Sequence, residues 1–134
     1  MKELLHASDQ PVTTLPLNLP GPATGYIRIG ADGMLLGTFW LNGSRLVEKL
    51  ATDGTVLFST TYPSTGFNAD MTTADSNGNL FVAGQGQVNV LKSDGTALGH
   101  FDLGGSLAPA CGIASQSSTV YVCYLNRIIA ISAN

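Results

Sequence analysis

A length of 134 residues fits one domain, and charged residues make up only 11% of it against about 25% in an average soluble domain. The net charge of −3 and the scatter of six basic residues (Lys2, Arg28, Arg45, Lys49, Lys92, Arg127) argue against a nucleic-acid surface, which needs clustered Lys and Arg. Apolar runs are too short to span a bilayer, and residues 1–6 lack the apolar segment of a signal peptide, so the chain reads as cytoplasmic with no membrane partner, although a processed secreted protein would read the same way.

Gly, Ser, Thr and Asn replace the missing charges, which suits short strands and tight turns. In chain order, residues 2–7 read as a strand and residues 12–19 as an edge strand, where Pro16 is tolerated. A first repeat follows: strand 26–29, turn 31–33, strand 34–41, the hairpin turn Asn42-Gly43, strand 45–51 and strand 55–62. After a crossover at 63–69 comes the most regular stretch, 70–103. Its strands are 71–75, 80–83, 87–91 and 97–103, separated by Ser76-Asn77-Gly78-Asn79, Gly84-Gln85-Gly86 and Ser93-Asp94-Gly95-Thr96. The last repeat has strands 112–115, 120–125 and 127–132.

Residues 46–55 match 87–96, with Asp53-Gly54 aligned on Asp94-Gly95. Residues 4–10 match 48–54, and 127–131 match 87–91. A spacing of roughly 40–45 residues is that of a propeller blade, four antiparallel strands joined by tight links. The expected fold is all-β: one domain, 1–134, of three blades at about 24–62, 70–103 and 111–132, with 12–19 as the closing strand and 2–7 surplus. Propellers close with about four to eight blades. Three would leave apolar faces and strand edges open. A homodimer forming a six-bladed ring is the simplest closure; a monomeric, differently closed all-β domain is the alternative.

The stretch Asp70-Met71-Thr72-Thr73-Ala74-Asp75-Ser76-Asn77-Gly78-Asn79-Leu80-Phe81-Val82-Ala83, with 88–91 and Asp94-Gly95-Thr96-Ala97-Leu98-Gly99-His100-Phe101, resembles a repeat of the NHL and SMP-30/gluconolactonase-like six-bladed propellers. Residues 112–115 and 120–123 are similar and the first repeat is looser. The resemblance implies architecture more than activity, because such repeats serve lactonases, lyases, and peptide- and RNA-binding proteins. In the lactonase-like branch it implies a divalent metal, often calcium, held by oxygen ligands at the channel mouth. Asp70 matches the Asp of that family's Asp-Gly-Met type motif, with Met71 in place of Gly. The corresponding positions are about Thr24 and Cys111, which depart from the pattern, so no metal or other cofactor is expected and calcium at Asp70 is the alternative.

Asp70 is the best single functional candidate, with a turn-forming Asp as the plain reading. Asp32, Asp53, Asp75 and Asp94 read as turn residues. His6 and His100 have no partner at ligand spacing. Phe39 and Trp40 read as packing residues. Tyr26 heads an inner strand and faces the channel mouth, and Arg28 on the same strand either binds an anion or reaches solvent. Cys111 and Cys123 lie nearly opposite on one hairpin; two buried thiols are expected, with a cross-strand disulfide as the alternative. No nucleophile with a base beside it and no paired carboxylates stand out, so no catalytic residue is assigned. The expected function is non-enzymatic binding of a small-molecule or peptide ligand, neutral by the composition of the loops at 20–26, 63–70 and 104–111. The expected ligand-binding site, at the channel mouth, is Asp70, Thr24, Tyr26, Arg28 and Cys111. A degenerate metal-dependent lactonase or hydrolase using Asp70, and a propeller fragment without activity, are the alternatives.

Overall fold

The computed structural model describes residues 24–41, 43–63, 71–104 and 110–133. They form eleven strands and no helix. The strands are β1 (Thr24–Ile29), β2 (Leu35–Leu41), β3 (Ser44–Leu50), β4 (Val56–Pro63), β5 (Met71–Ala74), β6 (Leu80–Ala83), β7 (Gln87–Leu91), β8 (Ala97–Asp102), β9 (Ala110–Gln116), β10 (Thr119–Tyr124) and β11 (Arg127–Ser132). Each sheet is an antiparallel meander in chain order: β1 to β4, β5 to β8, and β9 to β11. Every strand expected between residues 26 and 132 is present, with ends moved by up to two residues. The strands expected at 2–7 and 12–19 lie outside the described residues.

Local turn chemistry explains the repetition. In the second sheet Asp75 N donates to Asn79 O at 3.0 Å and Gly78 N to Asp75 O at 3.0 Å. The first sheet repeats both bonds, from Gly30 N to Met34 O and from Gly33 N to Gly30 O, at 2.9 Å. The Asp-Gly turns are equally matched. Asp53 Oδ1 accepts from Thr55 N, and Asp94 Oδ1 from Thr96 N, both at 2.9 Å. Gly54 and Gly95 then take φ of 90° and 89°, left-handed values that glycine adopts without a Cβ clash. The backbone bonds from Thr55 and Thr96 hold both Asp carboxyls below their ordinary value. A bulge at Leu50 and another at Leu91 end the third strand of the first and second sheets.

Side chains alternate across each strand, and the register sorts them into faces. In the first sheet, Arg28, Leu36, Lys49 and Phe58 form one row, and the adjacent row carries Tyr26, Thr38, Val47 and Thr60. This face meets the second sheet: Leu36 and Val47 are buried with Ala74, Leu80, Val82 and Leu91, and Phe58 packs against them. Lys49 crosses the same boundary, with Nζ 2.6 Å from Asp32 Oδ2 and donating to Gly78 O at 3.2 Å. The second and third sheets share a larger core, in which Phe81, Val88, Val90 and Leu103 meet Ile113, Val120, Val122, Tyr124 and Ile131.

The opposite face of the first sheet carries the row Ile27, Gly37, Glu48, Ser59 and, next to it, Ile29, Leu35 and Leu50. Ile29 is 73% exposed, whereas Glu48 is 4% exposed and its Oε2 has no hydrogen-bond partner among the described residues. Burial pushes the Glu48 carboxyl above its ordinary 4.5, and the Ser59 hydroxyl pulls the other way. The folded state therefore binds this proton more tightly than the unfolded state. The ionised carboxylate costs stability at neutral pH, and that cost disappears as pH falls through the folded pKa toward 4.5. Glu48→Gln is expected to raise stability at pH 7 by about 1 kcal/mol, or roughly 3–6 °C in melting temperature, and to lose this advantage near pH 4.5. Thermal melts of both proteins across that range check it; parallel pH profiles would contradict it.

Candidate functional site

The three sheets meet along their first strands, β1, β5 and β9, and polar side chains join each pair. Thr38 Oγ1 and Thr72 Oγ1 lie 2.7 Å apart across the first boundary. Thr73 Oγ1 and Ser115 Oγ lie 2.9 Å apart across the second. Arg28 reaches from the first sheet to the third, and its Nη1 donates to Ile113 O at 3.0 Å. Between these groups lies a cavity of about 330 Å³, walled by Arg28, Ile29 and Gly30 from the first sheet, Thr73 from the second, and Ile113 and Ser115 from the third.

The placement follows from strand alternation. Thr72 and Thr73 are consecutive on a short inner strand, so they point to opposite faces and each finds a hydroxyl on a different neighbouring sheet. Arg28 lies on the face of β1 that turns toward the second sheet, and its length carries the guanidinium past β5 to β9. No carboxylate pairs with it among the described residues.

Of the three residues singled out from sequence whose side chains are described, Arg28, Tyr26 and Cys111, only Arg28 lines this cavity. Tyr26 shares its face of β1 but is 64% exposed and does not line the cavity. Thr24 opens β1, and its side chain lies outside the described residues, as does Asp70. Cys111 is elsewhere, on β9 in a disulfide with Cys123, their Cα atoms 5.1 Å apart. This corrects the expectation of two buried thiols. The β9–β10 register shifts between Cys123 and Tyr124, so Cys111 occupies a bulge beside Cys123. That bulge, invisible in the spacing of the two cysteines, brings them within bonding range. Thr73 and Ser115 went unnoticed in the sequence because a lone hydroxyl on a strand signals nothing until its partner strand is known.

The disulfide closes a short loop, with a sequence separation of 12. Cys123→Ser is expected to destabilise the fold by about 2–3 kcal/mol. Urea unfolding of wild type with and without reductant should reproduce that loss; an unchanged midpoint would mean that the bond contributes nothing.

His100 is on β8, with Nε2 3.6 Å from Asp102 Oδ1 and both side chains largely in solvent. Phe39 is buried, and the Arg45 guanidinium lies 4.9 Å from the centroid of the Trp40 ring. Among the described residues no group of three or more His, Cys, Asp or Glu is arranged to hold a metal ion. No described helix is long and apolar enough to cross a membrane.

No family model matches the chain, and no curated protein matches it. Among solved structures, the chain is similar to a protein of unknown function from Bacteroides caccae, at a TM-score of 0.48 and 19% identity. The match covers 87% of this chain and 49% of that one, so the chain spans about half the length of that protein.

Proposed function

We propose that the three sheets are propeller blades and that the chain is a non-enzymatic binding module, its ligand held between the first strands of the blades. The observation that carries this reading is the cavity at Arg28, Thr73 and Ser115, where all three sheets contribute wall. A repeated step between sheets supports the propeller. Ala31 N donates to Ala74 O at 2.9 Å, and the equivalent Ser76 N donates to Ser117 O at 2.8 Å, so the second boundary copies the first.

The two outward faces support closure by a second copy. Ile27 and Ile29 are exposed on the first sheet, and Tyr121 and Ile128 on the third. Tyr121 and Ile128 lie on the face of β10 and β11 opposite the core residues Val120, Val122 and Ile131. A two-fold dimer would bring each first sheet onto a third sheet and make a six-bladed ring with two equal seams. The disulfide favours an oxidising compartment over the cytoplasm.

The test has two arms. Light scattering over a tenfold concentration range is expected to give a mass near twice 13.9 kDa; a clean monomer would overturn the ring. An NMR screen of small charged and neutral compounds is expected to move amide signals of β1, β5 and β9; shifts confined to the outer strands β4 and β8 would overturn the binding site. Calcium titration with thermal melting addresses the lactonase-like alternative, since a calcium-dependent rise in melting temperature would favour it.

A further inference from the structure

We infer that the cavity between β1, β5 and β9 takes a small oxyanion, a carboxylate or phosphate group, anchored by Arg28. The inference rests on reading that cavity as the ligand site and adds the chemical class of its ligand, in place of the neutral ligand expected from the loops.

A guanidinium carries five N–H donors and no acceptor. Arg28 spends one on Ile113 O, and this bond fixes the orientation of the planar group. It has no ion pair among the described residues, and the side chain is half-buried, so its charge is only partly screened by water. Among the described residues the cavity wall contains no acidic residue. The nearest carboxylate in sequence, Asp32, is already paired with Lys49 at 2.6 Å. Thr73 and Ser115 add to the donor side. In their 2.9 Å contact one hydroxyl hydrogen is used and the other remains free. The cavity therefore offers a fixed cation and a hydroxyl donor beside Ile29, Gly30 and Ile113. A planar carboxylate or a phosphate matches the remaining guanidinium fork. A neutral ligand would leave the charge uncompensated.

The alternative is a strut, in which Arg28 does nothing but tie the first sheet to the third. A titration separates the two. The ¹⁵N-labelled protein is titrated with potassium phosphate and, separately, with potassium acetate, at fixed pH and with potassium chloride holding the ionic strength. Saturable shifts are expected at the amides of Gly30, Thr73 and Ser115 and at the Arg28 Nε signal. Tighter saturation by phosphate would point to a phosphorylated ligand, and equal or tighter saturation by acetate to a carboxylate; either supports an oxyanion site. Arg28→Gln is expected to weaken binding about 10- to 100-fold, as the loss of a charged hydrogen bond does. Arg28→Lys keeps the charge without the fork and is expected to bind with intermediate affinity, which keeps the test decisive if Arg28→Gln fails to fold. Shifts that track chloride equally, or binding that is unchanged in both variants, would overturn the inference. If neutral compounds move the same amides while neither anion does, the ligand site stands and the oxyanion assignment falls. If nothing moves them, both fall.

Discussion

Replacing Asp75 with alanine is expected to destabilise the protein by about 3–5 kcal/mol, enough to unfold a large fraction of a small domain at room temperature. Asp75 is 0% exposed. Its Oδ1 accepts from Asn77 N and from Asn79 N, both at 3.0 Å, and its Oδ2 from Asn79 Nδ2 at 3.1 Å. Its own backbone closes the turn through Asn79 O and Gly78 N. Ser76 N, the next residue, makes the 2.8 Å bond to Ser117 O that joins the second sheet to the third. Alanine would leave the turn's donors on Asn77 and half-buried Asn79 without their acceptor and loosen that junction. Asp75→Asn keeps one acceptor oxygen and is expected to lose only about 1–2 kcal/mol. Urea unfolding of the three proteins checks the order; equal midpoints for alanine and wild type would mean the turn holds without the carboxylate.

Ile128→Glu is expected to convert the proposed dimer into a monomer. Ile128 is 73% exposed on the outward face of the third sheet, directly opposite Cys123 in the register. In a two-fold ring this face would meet Ile27 and Ile29 of the second copy, and symmetry would place the new charge in both seams. Burying an unpaired carboxylate costs about 3–5 kcal/mol, or roughly a hundredfold to several thousandfold in association for each seam. Ile29→Glu approaches the same seam from the other side and is expected to act alike, while Lys92→Glu on an exposed turn should leave the mass unchanged. Light scattering reads the result. A dimer that survives both isoleucine substitutions would place the seam elsewhere on the molecule.

The oxyanion inference and the dimer meet at Ile29, which lines the cavity and is exposed on the proposed seam. Arg28 and Ile29 are neighbours on β1, but Arg28 belongs to the row that meets the second sheet and Ile29 to the row that faces away. Ile128 does not line the cavity, so a phosphate titration on Ile128→Glu reports whether the cavity needs the ring.

Turn chemistry is local, and so it was legible. Asp53-Gly54, Asn77-Gly78 and Asp94-Gly95 announce their backbone conformations through residues that touch one another in sequence, and the strands between them follow by alternation. The same locality explains how Asp32, Asp53, Asp75 and Asp94 could be read as turn residues, as the structure bears out. The depth of Asp75 was not legible. Ser76, the next residue, bonds to Ser117 O in the third sheet's hairpin, more than forty positions later in the chain.

From the sequence alone came the all-β class, the repeat of about forty residues, every described strand to within two residues at its ends, and Arg28 as a charge at an unusual place. Tertiary structure decided the rest. Two neighbouring threonines face different sheets, a bulge joins Cys111 to Cys123, Glu48 is buried while Ile29 is bare, and Arg28 bridges β1 to β9 over a cavity. The division has one physical cause. Hydrogen bonds within a hairpin join residues close in sequence, whereas a site between blades is built from side chains whose partners are set by how whole sheets pack.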